Sequence, residues 1–366
     1  MIKRCVKKCL LSTVLAFLLL TSVTVVAHAD GTGAREGFEE YIEEFQSLLP
    51  SGVSADAEAS ADMLGLDSIL AEIVGTLDGS IGRIGGFLLL LVGSALLMAL
   101  ASNASGELSS ACCTATVTVC SVAIFSGIMP VVSEVTRGIE GMSGFFSSLM
   151  PIMIGVNALG GAGATSAAHS VGMSLTLYLY SSLGNALSVL VMAIFVLGLI
   201  GTIDGGAAAS IGRGVRSAFG KGMGILTALV SATLSLQTVI TSSADSAAMR
   251  MAKYSASSMI PVVGSTVSGA LSTLAGGLSY AKGAVGGGAV AALVMMALPP
   301  LVTLLLYKLC FFLAGVFLDF CSCTDGSRAI GSMAGGIDAL ISVYALTALI
   351  YIFEVVLFIM GGVNLS

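Results

Sequence analysis

The sequence GMSGFFSSLMPIMIGVNALGGAGATSAAHSVGMSLTLYLYSSLGNALSVLVMAIFVLGLIGTI, residues 141–203, contains no Lys, Arg, Asp or Glu in 63 positions. About 20 predominantly apolar residues suffice to cross the hydrocarbon core of a bilayer. Over the whole chain 10% of residues are charged, 56% are hydrophobic, and the mean hydropathy is +1.02. The composition therefore predicts an all-α polytopic membrane protein.

The first 29 residues have the three parts of a secretory signal peptide. A basic start with Lys3 and Arg4 precedes the apolar stretch Leu10–Val26, and Ala27-His28-Ala29 supplies small residues at both recognition positions. We expect cleavage after Ala29. The alternative is an uncleaved signal anchor.

Residues 30–83 form an acidic segment with two amphipathic patterns. Asp30 to Asp78 holds twelve Asp or Glu and one basic residue, Arg35. Because cytoplasmic loops collect Lys and Arg, this segment is expected to be extracytoplasmic. The first pattern covers Gly37–Leu49 and the second follows Asp62, each with apolar residues at helical spacing. The segment is too small to build much of a core alone, so it is expected to pack on the membrane domain or on a partner.

The polytopic domain, residues 84–366, is predicted to contain about six to eight transmembrane helices. The topology stays open because Val171–Ile203, at 33 residues, would be roughly 50 Å long as one helix. The candidate spans are Ile84–Ser102, Ala111–Ser133, Phe145–Gly163, Val171–Ile203, Gly222–Ile240, Gly283–Tyr307 and Ile337–Gly361, with Leu309–Leu318 continuing the sixth or standing separately.

The loop 204–221 carries Arg213, Arg216 and Lys221 against one Asp. As a helix it would place these three side chains opposite an apolar face, an arrangement suited to anionic lipid headgroups. The alternative is an ordinary basic loop.

Enzyme motifs are absent from the sequence. Gly214–Gly222 resembles a phosphate-binding loop but has one residue too many between its glycines and no Ser or Thr after Lys221. Only His169 remains after signal removal, which excludes two-histidine metal sites. We therefore expect no catalytic, metal or cofactor-binding residue. Outside the signal the sequence has no basic cluster of the kind that would indicate nucleic-acid binding.

Polar residues inside apolar segments are the better candidates for function, since a charge at membrane depth is costly. Glu354 lies about seven residues from the end of the last predicted span, and Lys308 can pair with an acid. The alternative to a transport role is that each of these residues makes a structural hydrogen bond or ion pair. The candidates are Glu354, Lys308, Asp319 and Asp338, with the uncharged Asn157, Asn185 and Gln237.

The chain contains 46 Gly. Small residues let helices approach closely in lipid. This pattern predicts tight helix packing and a possible homo-oligomer.

One sequence stretch resembles a known family. Ala244-Asp245-Ser-Ala-Ala-Met-Arg250-Met-Ala-Lys253 runs towards Ile260-Pro261-Val262-Val263-Gly264, and Leu298-Pro299-Pro300 and Tyr307-Lys308-Leu309 follow. Together with the signal and the acidic segment, this order resembles stage III sporulation protein AE of endospore-forming bacteria. The likeness is best from Gly222 onwards. Asp319-Phe-Cys321-Ser-Cys323-Thr departs from the Pro-containing turn expected after the Tyr-Lys span.

The resemblance implies a role rather than a reaction. Such proteins sit in the mother-cell membrane around the forespore and are similar to permease components of a channel between the two cells. Their implied partners are the other membrane proteins of the sporulation stage III operon and a forespore membrane protein. The alternatives are a self-contained secondary transporter, which would predict an internal repeat, and an intramembrane enzyme, which the missing motifs disfavour.

Overall fold

The computed structural model describes residues 34–50, 62–103, 109–159, 170–175, 191–196, 211–212, 214–232 and 264–360, together with residues 53, 59 and 235. Its regular secondary structure is helical, and no strand occurs in these ranges. The all-α prediction is confirmed. The predicted signal peptide, with Ala27 and Ala29, lies outside the described residues.

Five long helices can be followed from end to end. They are α1 (Ala34–Leu48), α2 (Leu66–Ser102), α3 (Ser109–Leu159), α4 (Gly264–Phe320) and α5 (Thr324–Met360). Helix α4 packs against each of the other four, and its most extensive interface is with α5, which follows it across the turn 321–323.

Four of these helices are long and apolar enough to cross a membrane, within the part of the chain that the structure describes. The predicted count of six to eight is not confirmed. Helix α3 joins the predicted spans Ala111–Ser133 and Phe145–Gly163 into 51 continuous residues. The charges between them, from Glu134 to Glu140, interrupt the apolar pattern but leave helical backbone bonds intact, so charge alone could not mark a turn there.

Helix α1 lies on the bundle through its apolar face. The Phe45 side chain is fully buried, and the Tyr41 ring rests against Gly155 of α3. The four glutamates Glu39, Glu40, Glu43 and Glu44 are exposed. The first predicted amphipathic helix therefore packs as its pattern indicates.

The second amphipathic pattern forms the start of α2 rather than a separate helix. Leu66 and Leu70, in its apolar stripe, stay 79% and 54% exposed. Ile73 and Leu77, further along the same stripe, are half-buried.

The turn between α4 and α5 contains Cys321-Ser-Cys323, where the sequence lacks the Pro-containing turn expected from the family resemblance. The Cys323 N–H donates to Leu318 O at 3.0 Å and the Ser322 N–H donates to Asp319 O at 3.1 Å. These are the paired bonds of a Schellman motif, in which the residue after the C-cap adopts a left-handed conformation and is usually glycine. Here that residue is Ser322, with φ 57°.

We expect Ser322→Gly to stabilise the protein by about 0.5–1 kcal/mol, because glycine adopts positive φ without the steric cost that a Cβ adds. Thermal unfolding of the purified protein measures the gain. Ser342→Gly, in the interior of α5, is the matched control and should lower stability by a similar amount. Equal shifts in the two variants would contradict this assignment of the turn.

Candidate functional site

Eight polar side chains are buried among the described residues, and two of them are charged. Glu354 on α5 is fully buried, and Lys282 on α4 is 2% exposed. The other six are Ser80, Ser94, Ser121, Asn157, Thr303 and Thr347. The two charges are the costliest groups to bury, so they define the candidate site.

Glu354 lies between two aromatic side chains on the same face of α5. Tyr351, three residues earlier, stacks on Phe146 of α3 with ring centroids 4.8 Å apart. Phe358, four residues later, lies beneath Lys282, whose Nζ is 5.5 Å from the ring centroid. Helices α3, α4 and α5 therefore all contribute to the surroundings of Glu354.

Lys282 was missed by sequence reasoning, which placed it just outside the predicted span Gly283–Tyr307. A usable signal was present. Lys282 is the sole charged residue between Tyr254 and Tyr307, as Glu354 is between Ala339 and Ser366. An isolated charge inside a long uncharged run is the pattern that marks these two positions as candidates.

The remaining charged candidates lie elsewhere. Lys308 Nζ is 2.7 Å from Asp338 Oδ1, and both side chains are about half exposed. Asp319 is exposed beside the α4–α5 turn. Asp338 and Glu354 are sixteen residues apart, or roughly 24 Å along α5, so they belong to different sites.

A second ion pair joins α2 to α3. Arg83 Nη1 donates to Glu134 Oε2 at 2.8 Å, and Thr303 of α4 places its hydroxyl 3.4 Å from Glu134 Oε1. Thr303 and Lys308 are five residues apart, so both ion pairs lie at a similar height in the bundle. We call the four residues Arg83, Glu134, Lys308 and Asp338 the charged layer.

On one side of the charged layer each helix continues as an uncharged stretch that exposes large apolar side chains, and on α4 and α5 this stretch ends at Asp319 and Arg328. These uncharged stretches are 84–102, 109–133, 309–318 and 329–337. Leu89, Leu100, Val119 and Phe312 there are 65–75% exposed. From Arg83 to Ser102 the helix rises roughly 28 Å, close to the ~30 Å hydrocarbon core of a bilayer.

We therefore expect the charged layer to lie at a membrane–water boundary, since half-exposed charges are costly in hydrocarbon. In opened membranes, and in a variant whose native cysteines are replaced, Arg137→Cys should react readily with a membrane-impermeant maleimide. Phe312→Cys, one turn from Lys308 on the uncharged side, should react slowly. Similar rates at both positions would disprove this placement.

The helical stretch 214–232 runs beside α5. Arg216 Nη2 donates to Ser332 O at 3.1 Å, and its guanidinium lies against Gly335. Lys221 is exposed, and Arg213 lies outside the described residues. Arg216 thus has a backbone partner on α5, while binding of anionic headgroups stays a prediction.

A groove of about 300 Å³ separates this stretch from α5. The hydroxyls of Thr227 and Ser235 donate to carbonyls of their own helix, at 2.8 and 2.7 Å, so the groove wall is largely apolar. Its lining residues are Thr227, Val230, Ser231, Ser235, Leu346, Leu349, Ile350 and Phe353.

Among the uncharged candidates, Asn157 is fully buried in α3. Neither its amide nitrogen nor its amide oxygen has a hydrogen-bond partner in the structure. Asn185 and Gln237 lie outside the described residues. A buried amide without partners costs free energy, which makes Asn157 a second position of interest.

No disulfide joins the cysteines of the described part. Cys323 is buried and its thiol lies 3.6 Å from Met98 O, which fits a packing role. No group of three His, Cys, Asp or Glu suited to a metal occurs within the described ranges.

The residues that carry the family resemblance fall mostly outside the described part of the chain. This holds for Asp245, Arg250, Lys253 and the run Ile260, Pro261, Val262 and Val263. Gly264, the last of them, begins α4. Their roles therefore stay predictions.

The long apolar helices define the class of a helical membrane protein. The family model for stage III sporulation protein AE (spore_III_AE) matches residues 52–362. The chain belongs to this family, and it is a stage III sporulation protein. Neither the search of curated proteins nor the search of solved structures returned a match.

Proposed function

We propose that the protein is a membrane subunit of a channel or secretion complex that connects the mother cell to the forespore during endospore formation. The observation that carries the proposal is family membership over most of the chain, joined to four helices able to cross a membrane. In this role the protein is permease-like and needs no catalytic chemistry of its own.

The proposed location is the mother-cell membrane around the forespore, in a multi-pass arrangement. After cleavage behind Ala29, the acidic segment 30–83 would lie outside the cytoplasm and meet partners between the two membranes. Those partners would be the other membrane proteins of the stage III operon and a forespore membrane protein. The Gly-rich helices also suit contact with a second copy of the chain.

The proposal is tested by deleting the gene in its spore-forming host and complementing with the wild type or with Glu354→Gln. Deletion should arrest development after engulfment, with a small forespore and a silent late forespore reporter. Normal spores after deletion would refute the proposal.

Among the complemented strains, Glu354→Gln should lower spore yield at least tenfold, because it removes a buried charge at the α4–α5 interface. Glu140→Gln is the matched control, since Glu140 is exposed on α3, and it should sporulate like the wild type. Equal yields from both variants would show that the buried carboxylate is dispensable.

The secondary transporter remains the second candidate, and one observation favours it. Buried ionisable side chains in apolar bundles often mark ion or solute pathways, and Glu354 with Lys282 fits that description. A deletion strain that sporulates normally but fails to take up a nutrient would support this candidate instead.

A further inference from the structure

The first part of α2 presents a row of apolar side chains to its surroundings. We call the four residues Leu66, Leu70, Val74 and Ile81 the exposed stripe, and they are 79%, 54%, 53% and 62% exposed. At 100° per residue they fall within roughly 80° of the helix circumference. Single exposed apolar residues are ordinary on a protein surface, whereas a continuous row marks an interaction site.

Carboxylates border the exposed stripe on the side away from the bundle. Asp67 and Asp78 follow Val74 around the helix by roughly 20° and 40°, and both are exposed. Residues 66–82 contain three acidic residues and no Lys or Arg. Neither aspartate forms an ion pair within the part of the chain that the structure describes. This surface of α2 is therefore apolar along its length and negative along one edge.

The carboxylates decide what can cover the exposed stripe. Hydrocarbon is a poor cover, because it would take Asp67 and Asp78 out of water together with the stripe. A second copy of the chain is disfavoured as well. An antiparallel contact along the stripe would bring Asp67 of each copy within about one turn of Asp78 of the other, and a parallel contact would place identical residues opposite each other. Like charges so placed repel each other, so the complementary surface is an apolar one flanked by positive charge.

We propose that the exposed stripe docks an amphipathic helix of another protein, which carries Lys or Arg beside its apolar face. Asp67 and Asp78 are eleven residues apart in the sequence, or roughly 16 Å along α2. Two basic side chains at that separation on the partner helix would therefore meet both carboxylates. This inference rests on the proposed function, because the partner is a protein of the sporulating cell. Deletion of the gene tests the role, and labelling of α2 tests the surface, so the two can fail separately.

The first test labels two cysteines on opposite sides of α2 with a membrane-impermeant maleimide, in a background without native cysteines. Leu70→Cys lies on the exposed stripe. Gly79→Cys, the matched control, lies roughly 180° around the helix, where a Cβ has nothing within 4 Å. In opened membranes from sporulating cells, Leu70→Cys should react about tenfold more slowly than in the purified full-length protein, which corresponds to docking by about 1.4 kcal/mol. Gly79→Cys should react at the same rate in both.

Three outcomes would overturn the proposal. Slow reaction of Leu70→Cys in the purified protein itself would mean that the chain or a second copy covers the stripe. Slow reaction that appears once the purified protein enters vesicles of phosphatidylethanolamine and phosphatidylglycerol would assign the stripe to lipid. Equal rates in native membranes and in the purified protein would show that nothing docks there. If the labelled strain sporulates normally, such a result removes the docking surface and leaves the proposed function standing.

The second test reverses the charge at the edge of the stripe. Asp67→Lys together with Asp78→Lys should raise the rate of Leu70→Cys in native membranes by about tenfold, because repulsion replaces two surface ion pairs of up to ~1 kcal/mol each. Glu40→Lys together with Glu43→Lys is the matched control, since it changes the net charge equally at exposed positions of α1. This control should leave the protection intact. Protection that survives the reversal on α2, or that is lost equally in the α1 variant, would contradict a basic partner at the stripe.

Discussion

Gly138→Leu is expected to prevent the bundle from packing and the protein from accumulating in the membrane. A Cβ added at Gly138 would lie 2.7 Å from the Tyr344 hydroxyl oxygen and 2.9 Å from its ring. Tyr344 is fully buried, and its hydroxyl donates to Met296 O at 3.2 Å. The ring therefore connects α3, α4 and α5, and displacing it would break the hydrogen bond to Met296.

The cost of this overpacking is about 3 kcal/mol or more, the upper end of the usual range, since a whole leucine enters an occupied space. That is a large part of the ~5–15 kcal/mol by which folded domains are typically stable. Membrane-fraction immunoblotting and the unfolding midpoint in detergent measure the effect.

Gly144→Leu is the matched control on the same helix. Gly144 is exposed, and nothing lies within 4 Å of a Cβ placed there. Leucine should raise stability by about 0.5–1 kcal/mol because it forms helix better than glycine. If both variants lost stability equally, the result would contradict the close approach of α3 and α5 at Gly138.

The sequence was sufficient to predict the elements whose pattern is local. The apolar face of α1 was visible in the spacing of Tyr41 and Phe45, and the structure buries Phe45 completely. The uncharged run that begins at Ile84 predicted both ends of the apolar half of α2 to within one helical turn.

Features that depend on contacts between distant residues were not predictable in the same way. Glu134 lies inside the continuous helix α3, and its carboxylate pairs with the guanidinium of Arg83, 51 residues away. The burial of Lys282 likewise depends on where α5 places Phe358. A hydropathy pattern places a charged residue at the end of a membrane span, because the pattern holds no information about the distant residue that contacts the charge in the folded protein.

Phe45→Asp is expected to release α1 from the bundle while leaving α2 to α5 folded. Burying a phenylalanine contributes about 2–3 kcal/mol, and an aspartate at the same site would also bury a charge. A loss of that size lowers the ratio of docked to undocked α1 by roughly 30- to 150-fold, at 1.4 kcal/mol for each factor of ten.

Hydrogen exchange of the α1 amides, followed by mass spectrometry, should accelerate by about that factor, while peptides from α4 and α5 stay protected. Gln46→Asp, one residue further along and exposed, is the control and should leave exchange unchanged. Unaltered exchange in Phe45→Asp would mean that α1 is not held by Phe45. If α1 does detach, its glutamates lose their fixed position relative to the bundle, because only the apolar face of α1 anchors them. A fall in spore yield in Phe45→Asp but not in Gln46→Asp would then assign a function to the docked position of α1, separately from the acidic charge that both variants keep.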